Sequence, residues 1–388
     1  MKIILAPNAY KGSISAKHAA DVMAEGIISE FPDIEIEKVP FSDGGDGLLE
    51  VLRDIFDGEI VECTVKDPLF RDIKSEICFV KKDRLAAIEM AKASGIALLK
   101  ESEKDPTKTT SYGTGQLIEK ALDLGAKKII VGIGGSATND GGIGMAAALG
   151  IKFLDKEKKE IFPCGGNLIK INEIDLTNLD PRVRDVEIIV VCDVENPLIG
   201  ENGATRVYGP QKGATEEMIE LLEKGLMNLA SIIKTKLGID VTKIPGGGAA
   251  GGIGAGFYAF LGASLKKGIE VMKELTGLEE KIKGADLVIT GEGKLDNQIF
   301  YGKGPYGVAE TAKKYGVPCI AIAGAIDKDL DLEKLEQVGI ICVFSICPAP
   351  ISLDEAMSSV KTYLKNTTRQ VVKLFMVGRN RYKRSGIF

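Results

Sequence analysis

The sequence predicts an α/β protein of two α/β domains, a parallel-sheet domain with a mixed-sheet domain inserted into it. Three observations carry this. Short apolar runs rich in Ile, Val and Ala alternate with helical patterns along most of the chain, as parallel strands covered on both faces require. Between residues 59 and 80 a hairpin-like pair of runs breaks the alternation, which resumes after about residue 280. The length, 388 residues, exceeds what one hydrophobic core ordinarily organises. The expected division is 1–65 with 280–388 as one domain and 66–279 as the insertion.

The elements follow in order. "KIILAP" (2–7) reads as a buried strand, followed by a helix near 15–30. "IEIEKVPF" (34–41) alternates apolar and charged residues as a strand does, and a helix runs from about Gly47 to Phe56. "EIVECTVKD" (59–67) and "KSEICFV" (74–80), joined by a short turn with Pro68, read as an antiparallel pair. "YGTGQLIEKALDLGA" is an amphipathic helix ending at a glycine. "KKIIVGIGG", "VEIIVVCDV" (186–194), "ADLVITGEG" (285–293), "PCIAIAG" (318–324) and "ICVFSI" (341–346) read as buried strands. Helices near 214–236, 260–275 and 304–315 separate several of them, and "KKIIVGIGG" fits either domain.

Composition excludes several classes. A net charge of -5 makes no case for a nucleic-acid surface, and the one basic cluster, "RNRYKR" (379–384), reads as a solvated tail. Seven scattered cysteines without a C-x-x-C pair read as reduced thiols of a cytoplasmic protein. The apolar start "MKIILAP" is too short for a signal peptide, and no run approaches the ~20 residues that span a membrane. His18 is the only histidine. A histidine-rich zinc site is therefore excluded within one chain, and a Ser-His-Asp triad could use only His18. With Ser15 as N-cap, His18 falls in a first helical turn and reads as a surface residue.

Six loops at strand ends are unusual: "PNAYKGS", "SDGGDG", "GIGGSATNDGG", "CDVENPL", "PGGGAAGGIGAG" and "TGEGKLDNQ". Open α/β sheets bind ligands beyond the carboxyl ends of their strands. Glycine there permits close backbone approach, and successive N–H groups form anion-binding nests. Phosphate is the natural ligand, yet the pattern G-x-x-x-x-G-K-[ST] is absent. "GIGGSA" (132–137) fits G-x-G-x-x-A, with Asp155 near the right distance for a ribose-binding acid, so a nicotinamide-dependent dehydrogenase of a small hydroxy acid stays open. Gly141 and Gly142 argue against it, because they would weaken the first turns of the helix it needs.

The same loops hold Asp43, Asp46, Asp140, Asp193, Glu292 and Asp296, and Lys11, Lys212, Lys294 and Lys303 are the lysines expected to face phosphate. Phosphoryl transfer employs such a set: carboxylates to hold Mg²⁺, one to orient the attacking hydroxyl, lysines to face phosphate oxygens. Asp193 follows the strand "VEIIVVC" at once and suits the orienting base; Asp43 and Asp296 suit the metal.

In order along the chain, "APNAYKGSISA", "SDGGDG", "YGTGQLI", "GIGGSATNDGGIGM", "DVENPLIGENGA", "GPQKGA", "GGGAAGGIGAG", "TGEGKLDNQ" and "GKGPYGVA" resemble the type I glycerate kinase family, from about residue 1 to 370. The resemblance implies a Rossmann-like parallel-sheet domain with a second, mixed-sheet domain inserted. It implies phosphorylation of D-glycerate by ATP with Mg²⁺, leaning towards 2-phosphoglycerate. Asp193, Lys11 and Lys294 are then the expected catalytic residues. Gly134, Gly135, Ser136, Thr138, Asn139, Asp140, Asn196, Gln211, Lys212, Gly291, Glu292, Gly293 and Lys303 are expected to contact substrate or phosphate. The expected partners are these small molecules, with neither nucleic acid nor membrane; a homo-oligomer is compatible. The chain departs from the family where Asn8-Ala9-Tyr10 replaces Asp-Ser-Phe, and where Ser42, Asp46 and Leu48 replace Ala, Glu and Thr. Those changes bear on substrate choice and leave a non-catalytic sensor of glycerate or nucleotide as a third reading.

Overall fold

The computed structural model describes the backbone of residues 1–41, 47–302 and 304–384. In chain order its strands are β1 (Lys2–Pro7), β2 (Glu35–Lys38), β3 (Glu59–Lys66), β4 (Asp72–Val80), β5 (Leu85–Glu89), β6 (Lys128–Gly132) and β7 (Lys152–Leu154). They continue with β8 (Glu173–Asp175), β9 (Glu187–Val191), β10 (Ser264–Lys266), β11 (Leu287–Leu295), β12 (Cys319–Ile326) and β13 (Ile340–Ser345).

The chain forms two compact units, Met1–Asp43 with Ile269–Phe388, and Gly44–Gly268. The first holds a five-stranded sheet in the order β13-β12-β11-β1-β2, parallel throughout. Counted within the unit this is 2-1-3-4-5, a doubly wound order. Ile3, Leu5, Ile289 and Ile322 are wholly buried, which explains the unbroken apolar runs: both faces of these strands are covered. The second unit holds a six-stranded mixed sheet, β10-β9-β6-β5-β4-β3, with β3 and β4 antiparallel, and a small β7-β8 ribbon.

These boundaries differ from the expected 65/66 and 279/280. β3 pairs with β4 from Glu59↔Phe79 to Lys66↔Asp72, and the helix Leu48–Phe56 packs on β4 and β5, so both belong with the mixed sheet. "KKIIVGIGG", open to either domain, supplies β6 between β5 and β9. The helix expected near 260–275 is two helices, Ala249–Leu261 and Gly268–Thr276, with β10 between them. Its glycine-rich start is not regular helix: Ala250, Gly251 and Gly252 are left-handed, and burial of Ile253, Phe257 and Phe260 supports the helical part that follows. The basic cluster continues the helix Val360–Arg384. His18 lies in the first turn of the helix Ala16–Ile28, where Ser15 accepts its backbone N–H. Among the described residues no helix is long and apolar enough to cross a membrane.

Candidate active site

In the parallel-sheet unit a cavity of about 550 Å³ opens at the carboxyl ends of β1, β11, β12 and β13. β1 and β11 mark the switch point of the 2-1-3-4-5 order, the place where doubly wound sheets bind ligands. The Asn8 N–H donates to the Gly291 oxygen there at 2.8 Å. Lys11, Glu292, Gly293, Lys294 and Asp296 line the cavity. Lys294 Nζ lies 2.8 Å from Asp327 and 3.9 Å from Asp296. The Asp327 carboxylate, aided by Asp296, holds that lysine above its ordinary range and therefore charged. Asp296 Oδ1 accepts the Gln298 N–H at 2.9 Å.

Tyr10, where the resemblance implies Phe, is 2% exposed and its hydroxyl donates to the Ile322 oxygen at 2.7 Å. Burial, then the charge of Glu292, push its phenol far above the usual value. The departure therefore ties the β1 loop to β12. Ser13 Oγ donates to the Met357 oxygen at 2.8 Å, fastening the same loop to the segment after β13.

In the inserted unit a second cavity of about 550 Å³ opens at the carboxyl ends of β6 and β9. Gly134, Gly135, Ser136, Asp193, Gln211 and Lys212 line it. Asp193 is exposed there, and its Oδ1 accepts the Gly268 N–H at 2.9 Å. Lys212 is 2% exposed, and its Nζ donates to the Thr138 oxygen at 2.7 Å. Desolvation pulls its pKa down to about 7, against the opposing charge of Asp140.

Several expected contacts have other work. Asp140 is wholly buried; its carboxylate accepts from Ser111 N–H and Oγ–H and from the Gly142 and Gly144 N–H groups, knitting the loop to the helix Tyr112–Asp123. It does not line the cavity. Burial raises its pKa while those hydrogen bonds oppose the rise. Asn196 accepts from Tyr208 Oη–H at 2.8 Å and donates to the Asn202 oxygen at 2.8 Å, holding its own loop. Gly291 is a packing glycine, since a Cβ there would meet the Ile322 carbonyl. Thr138 and Asn139 lie just behind the wall, each wholly buried, with Thr138 Oγ1 and Asn139 Oδ1 making no hydrogen bond among the described residues. Asp43, Asp46 and Lys303 lie outside the described residues.

The glycines of 131–150 divide the same way. Gly132, Gly134 and Gly135 line the cavity. Gly141 and Gly144 serve packing: a Cβ on the first would crowd Leu229, and on the second would meet Thr110 Oγ1. The dinucleotide fingerprint lacks its context. No helix follows Gly132–Ala137; the next begins at Ile143. Asp155 caps the turn after β7, accepting from Glu157 and Lys159 N–H.

Sequence reasoning missed three features. Tyr208 lines the cavity of the inserted unit from a short helix with no motif. Ile346 and the apolar side chains of 351–360 wall the other cavity, and no glycine marked them. Glu89, opposite Gly132 in the sheet, keeps a buried Oε1 without a hydrogen bond among the described residues. Desolvation, then Glu50, raise its pKa. A carboxylate ending an apolar strand was the signal available.

By fold this is an α/β protein whose parallel strands carry their cavities at the carboxyl ends. The model of the Glycerate kinase family matches residues 3–376. The chain is 46% identical to the glycerate 2-kinase of Escherichia coli (strain K12), covering 97% of this chain and 99% of that one. It is 44% identical to the glycerate kinase of Bacillus subtilis (strain 168), covering 96% and 97%. The crystal structure of a Salmonella typhimurium LT2 protein assigned as a glycerate kinase 2 superposes with a TM-score of 0.88 at 43% identity, covering 98% and 99%. The chain belongs to the glycerate kinase family.

Proposed function

We propose that this protein transfers the γ-phosphoryl group of ATP to D-glycerate, giving 2-phosphoglycerate. The full-length family match carries the reading, and the name of the Escherichia coli relative favours the 2-hydroxyl. Lys11 and Lys294 beside Glu292 and Asp296 form a mixed-charge wall suited to a nucleotide's phosphates. Among the described residues no group of three His, Cys, Asp or Glu side chains is placed to hold a metal. Mg²⁺ needs fewer, keeping several waters and taking one or two carboxylates plus phosphate oxygens. Glu292 and Asp296 in one cavity fit that requirement and would hold it; Asp43 is the further candidate. When bound, the ion neutralises phosphate charge.

The protein's own share is positioning and charge. Lys11 and Lys294 face phosphate oxygens. Asp193, held by Gly268, orients the acceptor hydroxyl and takes its proton. A loose transition state demands little prior deprotonation, so a carboxylate that positions the hydroxyl suffices. The scattered cysteines favour a cytoplasmic setting. A coupled ADP-release assay with D-glycerate and Mg-ATP tests the activity, and phosphorus NMR of the product tests the position. Turnover no faster than the ATPase background rejects the kinase reading. Thermal stabilisation by ligand without product would instead support the sensor.

A further inference from the structure

The Lys212 side chain is kept almost wholly from water, yet it reaches the wall of the inserted unit's cavity. An ammonium has three donors. Among the described residues Lys212 uses one, to the Thr138 oxygen. It makes no ion pair with Asp140, whose oxygens are taken by Ser111, Gly142 and Gly144. The backbone N–H groups of Gly134, Gly135 and Ser136 on the same wall make no hydrogen bond among the described residues. Gly135 has φ +68°, the left-handed turn that lets successive N–H groups converge on an anion. Its charged form, buried with spare donors, is costly unless an anionic ligand completes it.

We infer that this cavity seats the acceptor acid, with Lys212 and the Gly134–Ser136 N–H groups holding the carboxylate of D-glycerate. The inference rests on the glycerate reading above. Charge decides between the two anions of the reaction. Lys212 and Asp193 are the charged residues lining this cavity. One cation beside one carboxylate matches a monoanion and would repel a polyphosphate; the other cavity offers two lysines and carboxylates suited to a metal.

The test is calorimetric titration of the full chain with D-glycerate, without nucleotide. Wild type should bind, and Lys212→Met should lose roughly 10- to 100-fold in affinity, the range for a charge-assisted hydrogen bond. The KM for ATP should stay within about threefold, the usual spread for an untouched site. A second measurement needs no variant. Free Lys212 titrates near pH 7, and a bound carboxylate favours its charged form. Titrations of wild type at pH 8 in two buffers of different ionisation enthalpy should therefore show proton uptake, and affinity should fall up to roughly tenfold per pH unit above that. Burial raises Cys192 and Tyr208, the other titratable neighbours on the wall besides Asp193, away from this window. Asp140 is raised too, and Lys104 packs behind Gly213, so uptake that persists in Lys212→Met would assign the proton elsewhere and overturn the inference. Glycerate affinity within threefold of wild type in Lys212→Met, or a loss confined to ATP, also overturns the placement while leaving the kinase reading intact. No glycerate binding by wild type overturns the placement, and turnover no faster than the ATPase background in the coupled assay then overturns the kinase reading as well.

Discussion

At Asp193 a structural duty and a proposed chemical one meet in one side chain. Its Oδ1 accepts the Gly268 N–H while the residue faces the cavity. Asparagine keeps an oxygen for Gly268 and loses the negative charge. Asp193→Asn should therefore melt within a few degrees of wild type while kcat falls roughly 10²-fold or more, the range for losing a general base. The Mg²⁺ concentration for half-maximal rate should not change. Near-normal kcat with a lowered Tm would mean that Asp193 only ties Gly268. Lys212 supplies a pH test of stability. Its folded pKa is about 7 against an ordinary 10.5. Between those values the unfolded chain holds a proton that the folded chain lacks, so unfolding free energy rises with pH across that window. Urea denaturation at pH 7 and pH 9.5 should show this rise in wild type and a smaller one in Lys212→Met.

At the scale of elements, the inserted unit's cavity is framed by two loops pressed backbone to backbone. Ala250, Gly251 and Gly252 are successive left-handed residues, at φ 51°, 74° and 89°. The Gly251 carbonyl accepts the Gly141 N–H at 3.0 Å, and a Cβ on Gly251 would run into the Thr138 carbonyl oxygen. Left-handed alanine is strained even with room to spare. Gly251→Ala should thus cost more than about 2 kcal/mol, as clash and strain combine. Gly134 has open space where a Cβ would go and no positive φ. Gly134→Ala should change stability by no more than about 0.5 kcal/mol and act, if at all, on substrate KM. Denaturant midpoints for the pair check the division between packing glycines and cavity glycines.

At the scale of the molecule, the two units have separate hydrophobic clusters, one around Ile3, Met23 and Ile322, the other around Ile88, Ile129 and Phe257. Separate cores are the usual source of departures from two-state unfolding. Scanning calorimetry should give a calorimetric enthalpy above the van't Hoff value. Phe257→Ala, a wholly buried ring, should lower one component by about 3–5 kcal/mol and leave the component of the parallel-sheet unit nearly unchanged. A single transition with equal enthalpies would show that the units melt as one.

The sequence by itself determined the α/β class, most of the buried strands and the loops that carry charge and glycine. Local pattern suffices for these: a strand covered on both faces must be apolar throughout, and Ser15 before a helix announces its cap. The family, too, was readable in the ordered motifs, and the match over 3–376 bears it out. Tertiary structure alone decided which unit each strand joins, because pairing such as β3 with β4 depends on partners and not on propensity. It alone divided the motif residues between cavity-lining and packing positions. Asp140 and Lys212 read alike from sequence, as charges in glycine loops. Folding gives all of Asp140's carboxylate to backbone and hydroxyl donors and leaves Lys212 with donors to spare at a cavity wall. Desolvation and hydrogen-bond saturation are set by distant segments brought close, so no local window of sequence contains them.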